Sequence, residues 1–270
     1  MPLKVQIIGG PFLHSMSTTL DKKSDLIEWT LSNSNIKMFV DQGIQQGIGL
    51  DKKNHYAFIS ETKAINSNIY KWCLQEIELL KNSFTYIFTH YNELLKLGDP
   101  FKFAPLTGTW IEEIKIKPKT KIVSAIASGK SWLPGHKLRL GFLQNLPKNV
   151  DMFGRNTNPI STKEEGLDDY MFSIAIENDI YDDYFTEKIL DCFATGTVPI
   201  YYGTKAISKY FNPMGILQFE TKQELNNLIC KLDEKLYNSM QSAIKDNLDR
   251  VKLYNMSETH IWRHLNDKTS

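Results

Sequence analysis

Apolar positions along this chain fall into short runs separated by amphipathic stretches. In the first half "LKVQII", "IKMFV", "YAFIS" and "TYIFTH" are rich in β-branched and aromatic residues and read as strands. "SDLIEWTLSN" and "NIYKWCLQEIELLK" lie between them and read as helices. The second half restarts with the strand "KIVSAIAS", the helix "HKLRLGFLQNL", and the strands "VDMFG" and "MFSIAI". In "DDYFTEKILDCFATGTVPIYYG", Phe185, Ile189 and Phe193 repeat every four residues, Leu190 and Ala194 widen the stripe, and Gly196 marks a stop. A strand, "VPIYY", follows, and then the helical "TKQELNNLICKLDEKLYNSM", where Thr221 and Glu224 are spaced as a capping box. Near-continuous apolar strands alternating with helices predict parallel sheets covered on both faces. The charged, Pro118-interrupted "KIKPKTK", Lys115 to Lys121, is the expected linker between two such halves, which implies a cleft.

Composition narrows the class. A chain of 270 residues, 41% hydrophobic and with a formal net charge of +1, fits a globular protein and not a polyanion binder. No basic stripe with interleaved aromatics suggests a nucleic-acid partner. No run is apolar for long enough to form a transmembrane segment, and "MPLKVQIIGGPFLHSM" lacks a cleavable signal layout. Cys73, Cys192 and Cys230 are odd in number and widely spaced, which suits a reducing compartment. The expected location is therefore cytoplasmic, with peripheral attachment at the inner membrane face left open.

Several motif look-alikes carry little. "SAIASGKS" has serine where a phosphate-binding P-loop needs its first glycine, and "IGGPF" has only two adjacent glycines where a dinucleotide fingerprint spreads three. His260 and His264 stand four apart with no acidic partner, so no metal ligand set is assigned. Asp179, Asp182 and Asp183 suggest a divalent ion less than a helix cap by Asp182 or Asp183.

Lys188 is the odd residue. It sits in the first turn of its helix, where free N–H groups already make the end positive. Ligands of open α/β sheets lie where strands end and helices begin, so a diphosphate there would make the lysine welcome. Glu187 beside it and Asn178 at the strand end add hydrogen-bonding groups suited to sugar hydroxyls. The plain alternative is a solvated lysine–glutamate pair. Arginine is also telling: of 32 basic residues only Arg139, Arg155, Arg250 and Arg263 are arginine, which suggests that some are kept for their forked geometry, with drift at the surface as the plain alternative for any single one.

"FSIAIENDIYDDYFTEKILDCFATGTVPIYYG" closely resembles the signature of glycosyltransferase family 10, the α-1,3/1,4-fucosyltransferases. Upstream, "KIVSAIASGKSWLPGHKLRLGFLQNLPKNVDMFGR" is similar to the segment that precedes that signature. The likeness runs from about residue 55 to 220, and residues 1 to 54 add nothing to it. It implies a GT-B type α/β fold: two Rossmann-like domains with parallel sheets facing across a cleft. The expected division is residues 1–117 for the acceptor and 118–270 for the nucleotide-sugar donor. It places the donor site on Arg139, Asn178, Tyr184, Glu187 and Lys188. Arg139 would clamp the diphosphate, and Lys188 would neutralise the leaving group. A base for the acceptor hydroxyl would come from the first domain. "YAFISETKAI" matches there with departures, no proline following and Ser60 in place of an aromatic or glycine, and it points to Glu61. An exposed strand-end glutamate is the alternative. Glu93, on a short helix in "HYNELL", is expected to lie apart from that strand end.

The implied activity is inverting transfer of fucose from GDP-β-L-fucose to a hydroxyl of an oligosaccharide or glycoconjugate acceptor, most specifically α-1,3. No cofactor or metal is required by this reading, and manganese stimulation is compatible with it. Another GDP-sugar donor is one alternative. A non-catalytic carbohydrate-binding protein on a decayed transferase fold is another.

Overall fold

The computed structural model describes residues 1–9, 22–154 and 157–266. The chain packs as two compact units, the first comprising Met1–Gly108 with the stretch from Asn255, the second Thr109–Tyr254. Each is built on an all-parallel sheet.

The first unit has six strands: β1 (Leu3–Gly9), β2 (Ile27–Thr30), β3 (Lys37–Val40), β4 (His55–Ile59), β5 (Tyr86–Thr89) and β6 (Phe101–Phe103). Their spatial order is β2-β1-β3-β4-β5-β6, so the direction of winding reverses between β1 and β3. Helices α1 (Ser67–Gln75) and α2 (Ile77–Ser83) connect β4 to β5, and α3 (Asn92–Leu95) follows β5. The expected helix over "SDLIEWTLSN" is instead the strand β2. Ile27 and Trp29 point inward and Glu28 outward, a period of two that a four-residue strand satisfies and a helix does not. The single helix expected over "NIYKWCLQEIELLK" breaks at Glu76, which leaves helical geometry between α1 and α2.

The second unit holds β7 (Lys121–Ile126), α4 (Pro134–Leu143), β8 (Val150–Phe153), β9 (Tyr170–Ile176), α5 (Glu187–Thr195), β10 (Val198–Tyr202) and β11 (Leu217–Gln218). Helices α6 (Lys222–Ile229), α7 (Glu234–Ser239) and α8 (Gln241–Val251) complete it. The sheet order β11-β10-β9-β7-β8 reverses between β7 and β9. Its core joins Val123, Phe172, Ile174, Val198 and Ile200 of the sheet to Phe142, Leu225, Tyr237 and Ile244 of the helices. The Thr221–Glu224 capping box forms as spaced. Gly196 ends α5 at φ 71°, a conformation that glycine adopts without strain.

Two boundaries differ from the sequence expectation. The stretch Lys115–Lys121 is not a free linker. Lys115 N–H donates to Ala194 O, Lys117 pairs with Asp168 at 2.6 Å, and Lys119 donates to Leu167 O, Asp168 O and the Thr197 hydroxyl. The last helix, α9 (Ser257–Asn266), packs with the first unit and not with residues 118–254. Ile261 and Leu265 join the core of the first sheet, Trp29 donates to Glu258 at 2.9 Å, and Ser257 donates to Pro105 O at 2.7 Å. His260 and His264 lie on this helix against aromatic rings, Phe103 for the first and Tyr86 and Phe88 for the second.

Candidate active site

In open parallel sheets the ligand crevice lies at the carboxyl ends of the strands where the winding reverses. In the second unit that point falls between β7 and β9. The loop after β7 leads into α4 and Arg139; the residues after β9 are Glu177 and Asn178, which lead to α5. The close approach of these two segments requires a glycine, because a Cβ on Gly135 of α4 would stand 1.9 Å from the Asn178 carbonyl oxygen.

Glu177 organises this corner. It is fully buried, and its two carboxylate oxygens accept from Thr186, one from the backbone N–H at 2.9 Å and the other from the hydroxyl at 2.7 Å. Thr186 is thereby fixed as the cap of α5. The expected caps do other work: Asp183 is buried against Tyr210 and Lys209, and Asp182 accepts the Thr204 hydroxyl on its carbonyl. Asp179 accepts from the backbone N–H of Ile180.

Lys188 lies in the first turn as expected, and two carboxylates receive it. Its ammonium is 3.0 Å from Glu187 Oε1, 3.6 Å from Glu177 Oε2 and 3.0 Å from the Thr186 hydroxyl, with its side chain 17% exposed. Burial opposes its charge, but Glu187 and Glu177 outweigh that and hold its pKa above the ordinary lysine value. Burial likewise opposes ionisation of Glu187, yet Lys188 and Lys163 keep it below the usual carboxylate range. For Glu177 burial wins and its pKa is raised. The expected Glu187–Lys188 pair is therefore present, but it is part-buried and three-cornered, not solvated.

Arg139 is buried at 5% exposure, and its guanidinium donates to Asn178 Oδ1 at 3.1 Å and to Ser128 at 2.9 Å. Both partners are neutral, and its Nε has no hydrogen-bond partner among the described residues. Burial lowers its pKa against the pull of Glu187 and Glu177. Tyr184 is buried with its ring 4.7 Å from that of Tyr181, and burial keeps its hydroxyl protonated. Arg139, Asn178, Glu187 and Lys188 thus meet at one sheet end, with Tyr184 packed inside it. Arg155, in the upstream segment, lies outside the described residues. Glu177 is absent from the residues that sequence alone singles out, although its place directly after the apolar run of β9 marks it as a strand-end carboxylate.

Glu61 belongs to the first unit. It is half-buried and follows β4 at the carboxyl end of that sheet. Asp41, just after β3, is the residue that shapes this corner. Its buried carboxylate accepts from the Ser60 N–H at 2.9 Å, the Ser60 hydroxyl at 2.7 Å and the Glu61 N–H at 3.3 Å. Its φ of 48° lies in the left-handed region, a strained setting for a side-chain-bearing residue that such a network sustains. His90 Nε2 lies 2.9 Å from Ser60 O, and the Tyr91 hydroxyl donates to Glu61 O at 2.6 Å. Sequence does not flag Asp41, because a positive φ leaves no mark beyond a residue type that tolerates it. Glu93 does lie on a short helix, but it is not remote. It accepts from Lys63 at 2.8 Å and Tyr70 at 3.0 Å, and Lys63 is only two positions from Glu61 in the chain.

With this geometry in view, comparison with known proteins is decisive. The family model described as "Glycosyltransferase family 10 (fucosyltransferase) C-term" matches residues 116–261. The chain belongs to glycosyltransferase family 10. A human GDP-fucose protein O-fucosyltransferase 3 is 30% identical over 126 residues, covering 43% of this chain and 26% of its own length. An alpha-(1,3)-fucosyltransferase of Helicobacter pylori is 41% identical over 54 residues, covering 20% of this chain and 11% of its own. The chain thus spans about a quarter or less of these curated relatives. Among solved structures, an alpha1,3-fucosyltransferase with GDP superposes with a TM-score of 0.56 at 17% identity, covering 94% of this chain and 90% of its own. A T4 phage BGT mutant in complex with UDP-glucose gives 0.54 at 13% identity, covering 99% of each chain. The fold of this family 10 chain is GT-B, with one parallel-sheet α/β domain in each unit. Among the described residues no group of three or more His, Cys, Asp or Glu is arranged to hold a metal ion, and no helix is long and apolar enough to cross a membrane.

Proposed function

We propose that this protein is an inverting fucosyltransferase that takes fucose from GDP-β-L-fucose. The observation that carries the reading is the paired cation site, Arg139 and Lys188, at the sheet reversal of a family 10 chain. The buried Arg139 guanidinium holds only neutral partners, which leaves its charge available for an anionic ligand. In the proposed reaction the acceptor hydroxyl oxygen forms a bond to the anomeric carbon of fucose. The bond from that carbon to the β-phosphate oxygen breaks, and GDP leaves with the electron pair. Glu61 takes the hydroxyl proton. Lys188 and Arg139 stabilise the charge that grows on the departing diphosphate. No metal is needed in this scheme, so transfer persists in EDTA.

The acceptor proposed first is a glycan hydroxyl, with α-1,3 linkage, in keeping with the bacterial relative's name. A protein hydroxyl acceptor is the second reading, favoured by the longer match to a protein O-fucosyltransferase. The proposed location is the cytoplasm, supported by Cys73, Cys192 and Cys230 being free thiols. The test offers GDP-fucose, GDP-mannose and UDP-glucose to the protein with glycan and peptide acceptors, and resolves products by mass spectrometry. Fucosylated glycan is the expected product; fucosylated peptide selects the second reading. Transfer from GDP-mannose alone, or from none of the donors, overturns the proposal.

A further inference from the structure

The pocket under the carboxyl ends of β7 and β9 is lined by Arg139 and Lys188, and also by Lys163, Asp191 and Cys192. Burial pushes the Cys192 thiol far up, which leaves it inert. Lys163 and Asp191 stand outside the Arg139–Lys188 pair. We propose that Lys163 is a third cation of the nucleoside-diphosphate site, held ready beside Trp110 and Asp191. This rests on the reading of Arg139 and Lys188 as the diphosphate clamp.

The charges around this pocket are unevenly matched. Lys188 has two carboxylates within 4.0 Å, Glu177 and Glu187. Lys163, half-buried, has none at that range among the described residues; its ammonium instead stands 5.2 Å from the centroid of the Trp110 ring. That residue is fixed from below. The Trp110 backbone N–H donates to Asp191 Oδ1 at 2.7 Å and the Thr109 hydroxyl donates to the same oxygen at 2.8 Å. Asp191 is 2% exposed, and its other oxygen, Oδ2, has no hydrogen-bond partner among the described residues. Arg139 Nε is in the same condition. Of these two atoms, Arg139 Nε is the donor, and it lines the same pocket as Lys163, where it can meet an acceptor oxygen. Lys188 is taken up by Glu177 and Glu187, whereas Arg139 and Lys163 line the same pocket with no carboxylate within 4.0 Å among the described residues, so these two cations are the ones placed to meet the oxygens of an anion.

A lysine that rests on a ring face, with no carboxylate within 4.0 Å among the described residues, is well suited to this task. Its flexible stem lets a compact charge follow a phosphate oxygen, and the ring contact is weak enough to release it. Arg139, clamped through two hydrogen bonds, supplies the rigid part of the same site.

Calorimetric titration of GDP and of GMP into the full chain tests this, with Lys163→Met, Lys163→Gln and Lys188→Met alongside. A third cation on the diphosphate predicts that both Lys163 variants weaken GDP about tenfold and GMP by less than about threefold. Thermal melting without nucleotide identifies any variant that folds poorly, and the ratio is then read from the other. If both Lys163 variants bind GDP within about twofold of the unaltered chain while Lys188→Met does not, Lys163 is only packing and the inference fails alone. Equal losses for GDP and GMP also overturn it, marking a structural role. If the unaltered chain binds neither nucleotide, the clamp reading fails and takes the inference with it.

Discussion

The two sheets use the same device at their carboxyl ends. In the first unit Asp41 accepts the backbone N–H and hydroxyl of Ser60 at 2.9 and 2.7 Å; in the second Glu177 accepts those of Thr186 at 2.9 and 2.7 Å. In each case a buried carboxylate pins a small hydroxyl residue, and the next residue is a glutamate. Beyond that glutamate the two corners diverge. After Thr186 a helix starts, and Lys188 places a cation 3.6 Å from Glu177, the cation that the proposed reading sets against the leaving diphosphate. After Ser60 no helix starts directly, and Glu61 presents a carboxylate on a corner braced by His90 and Tyr91. One anchoring geometry therefore holds a part-buried lysine in one unit and a strand-end carboxylate in the other, which the proposed reading takes as the leaving-group site and the proton acceptor. The chain just past the anchor decides which.

The largest expected effect would come from removing the cation. Lys188→Ala should cost on the order of 2–4 kcal/mol in transition-state stabilisation, read as a fall in kcat/KM with GDP-fucose. Unchanged turnover would leave the second corner with no catalytic distinction from the first. Next is Glu61→Gln, which keeps the shape and removes the basicity. Transfer should slow by about 10²-fold while GDP affinity stays level. Glu93 cannot serve as its control, because Glu93 is tied to Lys63 and Tyr70 in the same neighbourhood. Glu78, exposed and paired with Lys81 on α2, is the better comparison, and Glu78→Gln should transfer normally.

The anchors themselves come third. Asp41→Asn and Glu177→Gln each turn one carboxylate oxygen into an NH2 that faces a hydroxyl, which must reverse and accept, and each trades charged hydrogen bonds for weaker neutral ones, so each should destabilise the fold by about 1–3 kcal/mol in urea melts. They should part in calorimetry: Glu177→Gln weakens GDP binding through Lys188, whereas Asp41→Asn leaves it intact. A common loss of GDP affinity would erase the proposed division of labour.

The smallest effect concerns Asp191, a buried carboxylate with both described donors on one oxygen and the other bare. Burial, eased by Lys163, pushes its pKa from an ordinary 3.8 to about 6. Across that window the folded chain binds more protons than the unfolded one, so stability from this group falls as pH rises. Asp191→Asn keeps the acceptor for Thr109 and Trp110 and removes the slope. Near pH 4 its melting should match the parent, and by pH 7 it should be the more stable by about 1–2 kcal/mol. Parallel melting curves across that range would show that the bare oxygen costs nothing.

The second unit is readable from sequence far more fully than the first, for physical reasons. The long apolar run of β9, the stripe of α5 and the Gly196 stop are local patterns, and local patterns survive without tertiary information. The likeness to family 10 also falls there. In the first unit Ile27–Thr30 alternates inward and outward over only four residues, too short to separate from a helix repeat. Glu76 gives no proline or glycine to announce the break between α1 and α2. The cap of α5 is misleading in sequence because Asp182 and Asp183 are good caps in isolation, and only the folded position of Glu177 selects Thr186. Lys163 lies in a segment with no periodic signal, so its place beside Trp110 emerges only once the sheet is assembled.

The return of α9 to the first sheet has a consequence for how the chain acquires its structure. Residues 109–254 are continuous and can complete their own core once they have emerged from the ribosome. The first sheet cannot, because Ile261, Leu265 and the Glu258 partner of Trp29 are made only after the whole second unit. At ordinary elongation rates the early strands wait on the order of ten seconds or more for the helix that covers them. During that interval Trp29, Tyr86 and Phe88 are open to chaperones and to mispairing, and a ribosome that stalls near residue 254 would release a chain with one finished half and one adhesive half.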